Sequence, residues 1–268
     1  MADFTGADLR GSRFERADLS GSQFWASDLA GTRFRGVDLR GAVLRGVELC
    51  DVDINGEIEN VTINGVDIGP LIEAELDRRY PDRAKMRPAD PAGFRAAWDI
   101  LGRLWEQTVE RARRLPPQRL HVSVDGEWSF TETLRHLVFA TDSWVGRAIL
   151  GDPAPWDPLG LPWGEMPDTP GVPRDRDARP SLDTVLALRR TRTAMVRDVL
   201  AGLTDEALAA RTTPVEGFGW PPPDSFPVKE CLLIVLNEEW EHRLYAERDL
   251  AALEARQRED ADGRSLPA

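Results

Sequence analysis

After its first methionine the chain reads Ala2-Asp3-Phe4-Thr5-Gly6-Ala7-Asp8-Leu9-Arg10-Gly11, and the five-residue rhythm set there runs without insertion or deletion to residue 56. Leu or Phe recurs at Phe4, Leu9, Phe14, Leu19, Phe24, Leu29, Phe34, Leu39, Leu44 and Leu49, and Ile54 keeps the phase. Two residues before each stands Ala, Ser, Thr or Val, as at Ala7, Ser12, Ala17, Ser22, Thr32 and Val47. A period of five fits neither a helix, which repeats every ~3.6 residues, nor a strand, which repeats every two. It fits a solenoid, whose repeats each turn one large and one small residue inward and lean on their neighbours for a core. The phase falters at residues 57–60, where Glu59 takes a core slot, and returns at Val61/Ile63 and Val66/Ile68. The pattern predicts a solenoid over 1–69.

Downstream the period becomes helical. Pro70 opens an amphipathic segment, Leu71 to Tyr80, that Pro81, Pro88 and Pro91 stop, so residues 70–90 read as cap and linker. Phe94, Trp98, Leu101, Trp105, Thr108/Val109 and Ala112 then form one apolar stripe. A second helix starts at Ser129, with Glu132 three residues on as the partner in a capping box, and runs to Gly151. Residues 151–180 are dense in Pro and Gly, and so long a connection in a compact domain often carries function. A third helix spans about Ser181 to Ala201, Thr204 caps a short one, and a fourth runs from about Pro227 to Ala255. Four long helices predict a four-helix bundle over 91–256, followed by a polar tail over 257–268. The fold class is thus α+β in two domains, a repeat solenoid followed by an all-α bundle.

Across 268 residues the formal charge is −12, which argues against binding a nucleic-acid backbone or an anionic membrane surface. Cys50 and Cys231 are the only cysteines, one in each predicted domain, so a disulfide framework is not expected and a reducing cytoplasm is. Met1 leads straight into the repeat with no signal-peptide pattern, and no apolar run nears the ~18 residues of a membrane span.

Of three histidines, His136 and His242 fall inside long helices and His121 in a loop. Glu238 lies four residues before His242, on the same face one turn away, and Glu239 three before is a second candidate. His136 with Glu238 and His242 would make a two-His, one-carboxylate set suited to a first-row divalent ion. The competing reading is an ordinary solvated Glu–His pair and a hydrogen-bonded His. Cys231 reads as core packing rather than as a nucleophile, because no low-pKa setting surrounds it. Trp128, Trp144, Trp156, Trp163 and Trp220 sit near helix ends or in Pro-rich loops, as loop anchors or at a pocket mouth.

The repeats Ala7-Asp8-Leu9-Arg10-Gly11 and Ala17-Asp18-Leu19-Ser20-Gly21 resemble those of pentapeptide-repeat proteins, tightly over 1–56 and loosely over 61–69. That resemblance implies a right-handed quadrilateral β-helix with four repeats per coil, hence fewer than three coils. Residues 91–255 resemble the DinB-like four-helix bundle family in Trp128-Ser129-Phe130-Thr131-Glu132-Thr133-Leu134-Arg135-His136 and in Glu238-Glu239-Trp240-Glu241-His242. The family's metal is held by a His ending the first segment and a His-x-x-x-His pair on the last helix. The resemblance therefore assigns metal-ligand roles to His136 and His242, with Glu238 where the family has its other His. It implies a divalent cofactor such as Zn, Ni or Fe, and an enzyme, a thiol S-transferase using mycothiol or a similar thiol.

Two functions compete. One is a metal-dependent transferase acting on a small-molecule thiol and an electrophile, with loop 151–180 and Arg135 or Arg243 helping to hold an anionic thiol. The other is a non-catalytic scaffold whose solenoid docks a partner or forms a homodimer. DNA mimicry is disfavoured: residues 1–50 carry seven acids and seven arginines, and fewer than three coils give a rod of only ~14 Å.

Overall fold

The computed structural model describes residues 3–56 and 58–263, which divide into two compact units between residues 57 and 58. In the first unit each pentapeptide makes a corner. The backbone is left-handed at every fifth residue from Gly6 to Asp51, including the non-glycines Arg16 (φ 51°) and Ala26 (φ 44°). The turn at Leu9–Ser12 is typical. The Ser12 amide donates to the Leu9 carbonyl at 3.0 Å, Asp8 Oδ1 accepts from the Arg10 amide at 3.1 Å, and Gly11 takes φ +75°. That is a turn that needs positive φ at its third residue, braced by an Asp side chain. Asp18, Asp28 and Asp38 brace the amides of Ser20, Ala30 and Arg40 in the same way.

The core expected of a solenoid is a different matter. Among the described residues of 3–56 no strand forms and every residue is exposed, from Leu9 at 42% to Phe24 at 62% among the repeat's large side chains that set the phase in its first half. The physical reason is a difference in range. The Asx-braced corner is encoded within five residues, whereas burying Leu and Phe requires coil to lie on coil.

Residues 61–68, expected to continue the repeat, instead form a hairpin. β1 (Thr62–Ile63) pairs antiparallel with β2 (Val66–Asp67) across Asn64-Gly65, both left-handed, the residue pair that a tight hairpin turn favours. Helix α1 (Gly69–Arg79) follows, and then a 3-10 turn at Arg83–Met86.

The helical unit is built from α2 (Pro91–Ala112), α3 (Phe130–Thr141), α4 (Leu182–Ala201) and α6 (Val228–Gly263), with a short α5 (Asp205–Ala209). Asp90 caps α2 by accepting from the Gly93 amide. The Ser129/Glu132 capping box forms with both of its hydrogen bonds, fixing where α3 begins. Past Thr141 the helix widens into a π-helical stretch, Asp142–Ile149, which periodicity alone does not reveal. The stripe Phe94, Trp98, Leu101, Trp105, Thr108 and Ala112 is buried. Phe94, Trp98 and Leu101 share one buried core with Val196, Leu200, Leu232, Leu236 and Trp240, while Trp105 belongs to a second with Leu134, Leu137, Val185, Leu250 and Leu253. Among the described residues no helix is long and apolar enough to cross a membrane.

Two buried arginines fasten the long loops to α3 and its π-helical extension. Arg135 donates to the carbonyls of Leu159 (2.8 Å), Ala178 (3.1 Å) and Asp175. Arg147 donates to Pro221 (3.1 Å), Pro153 (2.9 Å), Val215 (2.8 Å) and Gly217 (3.0 Å). Loop backbone that leaves water must find donors inside the protein, and these two side chains supply them.

Candidate metal centre

Helices α3 and α6 pack against each other, and their contact brings His136, Glu238 and His242 together. One ligand atom from each lies within 4.8 Å of the other two, the only such group found among the described residues. His136 Nε2 is 3.2 Å from Glu238 Oε2, and the two imidazoles stack with centroids 4.8 Å apart.

The tautomers follow from the backbone. His136 Nδ1 faces the Leu161 carbonyl at 2.9 Å, and His242 Nδ1 faces the Glu238 carbonyl at 3.0 Å and Glu238 Oε2 at 3.2 Å. A carbonyl only accepts, so each Nδ1 carries the proton and each Nε2 is left with a lone pair. Imidazoles that bind metals are characteristically held this way. At His136 the consequence is sharp. Its Nε2 lone pair confronts a carboxylate oxygen at 3.2 Å, and the contact is favourable only with a positive charge between them, a second proton or a metal ion. A tetrahedral ion with bonds of about 2.0–2.2 Å holds neighbouring donors ~3.3 Å apart, so the spacing fits.

The electrostatics favour the ligand forms. Burial drives the His242 pKa down to about 4, helped by nearby His136, so the imidazole is neutral at neutral pH. Burial acts to raise Glu238, but the positive form of His136, which would donate from Nε2, and the charge of the two imidazoles outweigh it, so its pKa is held below the usual carboxylate range. Neutral imidazole and ionised carboxylate are the states a metal requires.

Aromatic rings surround the triad. Trp128 lies 4.5 Å from His136 and stacks on His242 at 5.9 Å. Phe139 sits 6.2 Å from His136 and Tyr245 5.8 Å from His242. Trp163 packs edge-on to Trp220 and touches Phe139, while Trp156 donates to Ser143 and Trp144 packs on Phe226. The tryptophans divide accordingly: Trp128 belongs to the site, and Trp144 and Trp156 anchor loops.

Other sequence candidates have different work. Glu239 is buried in a bidentate pair with Arg189 of α4 (2.5 and 2.7 Å), and Arg189 also stacks on Trp105. It is not a member of the triad. His121 ends the 3-10 turn Pro117–His121, also outside it. Cys231 is fully buried and its thiol is pushed up to about 11 by burial, the opposite of an activated nucleophile. Arg135 is wholly buried among loop carbonyls, which corrects the expectation that it could hold an anionic thiol. Arg243 lies over the Trp240 ring and reaches toward Thr108 and Glu247. Sequence reasoning missed Arg189, Tyr245 and the Leu161 carbonyl. Of these only Tyr245 left a signal, its helical spacing from His242.

A family model described as the DinB superfamily matches residues 100–246, and one for pentapeptide repeats matches eight copies over residues 2–36 and 17–56. Neither the curated proteins nor the solved structures contain a match to the chain.

Proposed function

The chain belongs to the DinB superfamily, with a pentapeptide-repeat module ahead of its helical domain, and from that premise we propose that it is a metal-dependent thiol S-transferase. His136, Glu238 and His242 would hold a divalent ion. When bound, such an ion supplies Lewis acidity that favours the thiolate of a low-molecular-weight thiol at neutral pH. The protein's own residues do the rest. The Leu161 carbonyl aims His136 Nε2 at Glu238, burial keeps His242 neutral, and Trp128 packs against both imidazoles. An electrophilic second substrate would approach the thiolate within these aromatic walls.

The observation that carries this reading is the His136 Nε2 lone pair facing Glu238 Oε2 at 3.2 Å, a gap made for a cation. Elemental analysis of protein purified without a histidine tag tests it. The expected result is about one divalent ion per chain, lost in His136→Ala and His242→Ala; an unmutated protein free of metal after incubation with Zn, Ni or Fe would sink it.

For the first unit the proposal is a right-handed quadrilateral β-helix, supported by the corner that recurs every five residues. In solution it would show slowed amide hydrogen exchange with a five-residue period, and uniformly fast exchange over 3–56 would contradict it.

A further inference from the structure

Glu238, His242 and Tyr245 are spaced by four and then three residues on α6, which sets them on one face of the helix. The Tyr245 ring meets His242 edge to face at 5.8 Å and is half-buried. Around the triad several polar groups are committed. His136 Nδ1 is taken by Leu161, His242 Nδ1 by Glu238, and Glu239 by Arg189. Tyr245 is not. Its ring meets His242 and lies under the Arg248 guanidinium, 5.5 Å from the ring centroid, and its hydroxyl has no hydrogen-bond partner among the described residues. The hydroxyl is also not sealed from solvent, unlike the orphaned indole N–H groups of Trp98, Trp105 and Trp240.

Resting on the metal reading above, we propose that Tyr245 is a positioning residue of this site. Its hydroxyl donates a hydrogen bond to an uncharged acceptor, an amide or carbonyl oxygen, on the thiol that the triad binds. The charge around it selects that class. Glu241 and Glu127 act on the phenol, against the one guanidinium of Arg248, which is itself bonded to Asp249 at 2.8 Å, while the charge of Glu238 would be met by the ion it holds. A carboxylate-bearing thiol would enter surroundings that are already negative, whereas an amide oxygen accepts from the phenol at no such cost. Trp128, lying across both imidazoles, offers the ring face against which the uncharged body of such a thiol packs.

The test uses the full chain, stripped with EDTA and reloaded with cobalt(II), whose thiolate charge-transfer band reports each probe directly. The probes are N-acetylcysteamine, which carries an amide, and butanethiol, which carries no acceptor. Tyr245→Phe is expected to weaken N-acetylcysteamine about fivefold, the scale of one neutral hydrogen bond, while leaving butanethiol and the cobalt d–d spectrum unchanged. Unchanged N-acetylcysteamine affinity, or an equal loss for both probes, overturns the positioning role. If 3-mercaptopropionate binds the unmutated chain as tightly as N-acetylcysteamine, the uncharged-acceptor assignment falls. Failure of the unmutated chain to take up cobalt defeats the metal reading itself, and this inference with it.

Discussion

In the repeat module Arg40 reaches Asp38, two residues back, and both stand in solvent; in the helical unit Arg189 reaches Glu239, fifty residues on, and both are buried. The same chemistry serves two kinds of construction. Asp8 with Arg10 and Asp38 with Arg40 brace a turn that the local sequence already specifies. Arg189 with Glu239, and Arg135 and Arg147 with their loop carbonyls, join segments that nothing local would bring together. The difference teaches where each unit's stability resides. The module's described contacts are small, repeated and local, while the helical unit adds buried polar contacts at long range to its apolar cores.

The most forceful way to break that contrast is to remove one partner from each pair. Glu239→Ala leaves the Arg189 guanidinium charged and unpaired among Trp105 and its neighbours, and the expected loss is about 3–5 kcal/mol. Asp38→Ala removes an exposed pair and should leave unfolding unaltered within error. Urea unfolding followed by tryptophan fluorescence reads the first directly, because all the tryptophans except Trp25 lie in the helical unit. A Glu239→Ala loss below about 1 kcal/mol would mean that the buried pair is no more important than the exposed one.

Acid separates the units more gently. His242 has its pKa depressed from 6.5 to about 4, so as pH falls the unfolded chain takes up the proton first. Its contribution is unchanged above about pH 6.5 and is lost progressively down to about pH 4, reaching ~2 kcal/mol by pH 5. Glu238, also held low, adds to the loss as pH falls through its folded pKa. Thermal unfolding of EDTA-treated protein from pH 7.5 to 5 should show this decline, and His242→Gln should flatten it. The repeat module contains no histidine and so has no part in that window. Equal slopes for the unmutated chain and the variant would show that His242 is not the group responsible.

What could be read from sequence follows the same division. The period of five, the α2 stripe and the Ser129/Glu132 capping box are all encoded within one or two turns of chain, and the structure contains them. The spacing of Glu238 and His242 placed both on one face of α6, yet it could not exclude Glu239. That choice is made by Arg189, which arrives from α4 to claim Glu239. The Leu161 carbonyl that sets the His136 tautomer and the arginine clamps on the loops were illegible for the same reason. Each depends on a residue far away in sequence, and no local pattern marks it. Conversely, the burial expected of the repeat's Leu and Phe was a long-range claim drawn from a short-range pattern, and there the described structure departs from expectation.

The smallest effect tests whether the module is a sum of independent corners. Ala26 sits at φ 44°, where most of the repeats use glycine, and a side chain in the left-handed region costs about 1 kcal/mol. Ala26→Gly relieves that strain while adding chain entropy to the unfolded state, so the net gain is only about 0.5 kcal/mol. Gly31→Ala is the mirror experiment: its φ is +71°, and an added Cβ would meet no atom within 4 Å, so the backbone angle alone sets the penalty. If corners act independently, amide exchange slows at residues 22–27 in the first variant and quickens at 27–32 in the second, each by two- to threefold on the order of that energy, with the rest of the module untouched. A change that spread through all the repeats would instead reveal coil-to-coil coupling. The module would then share the long-range character of the helical unit, and the contrast between them would narrow to one of degree.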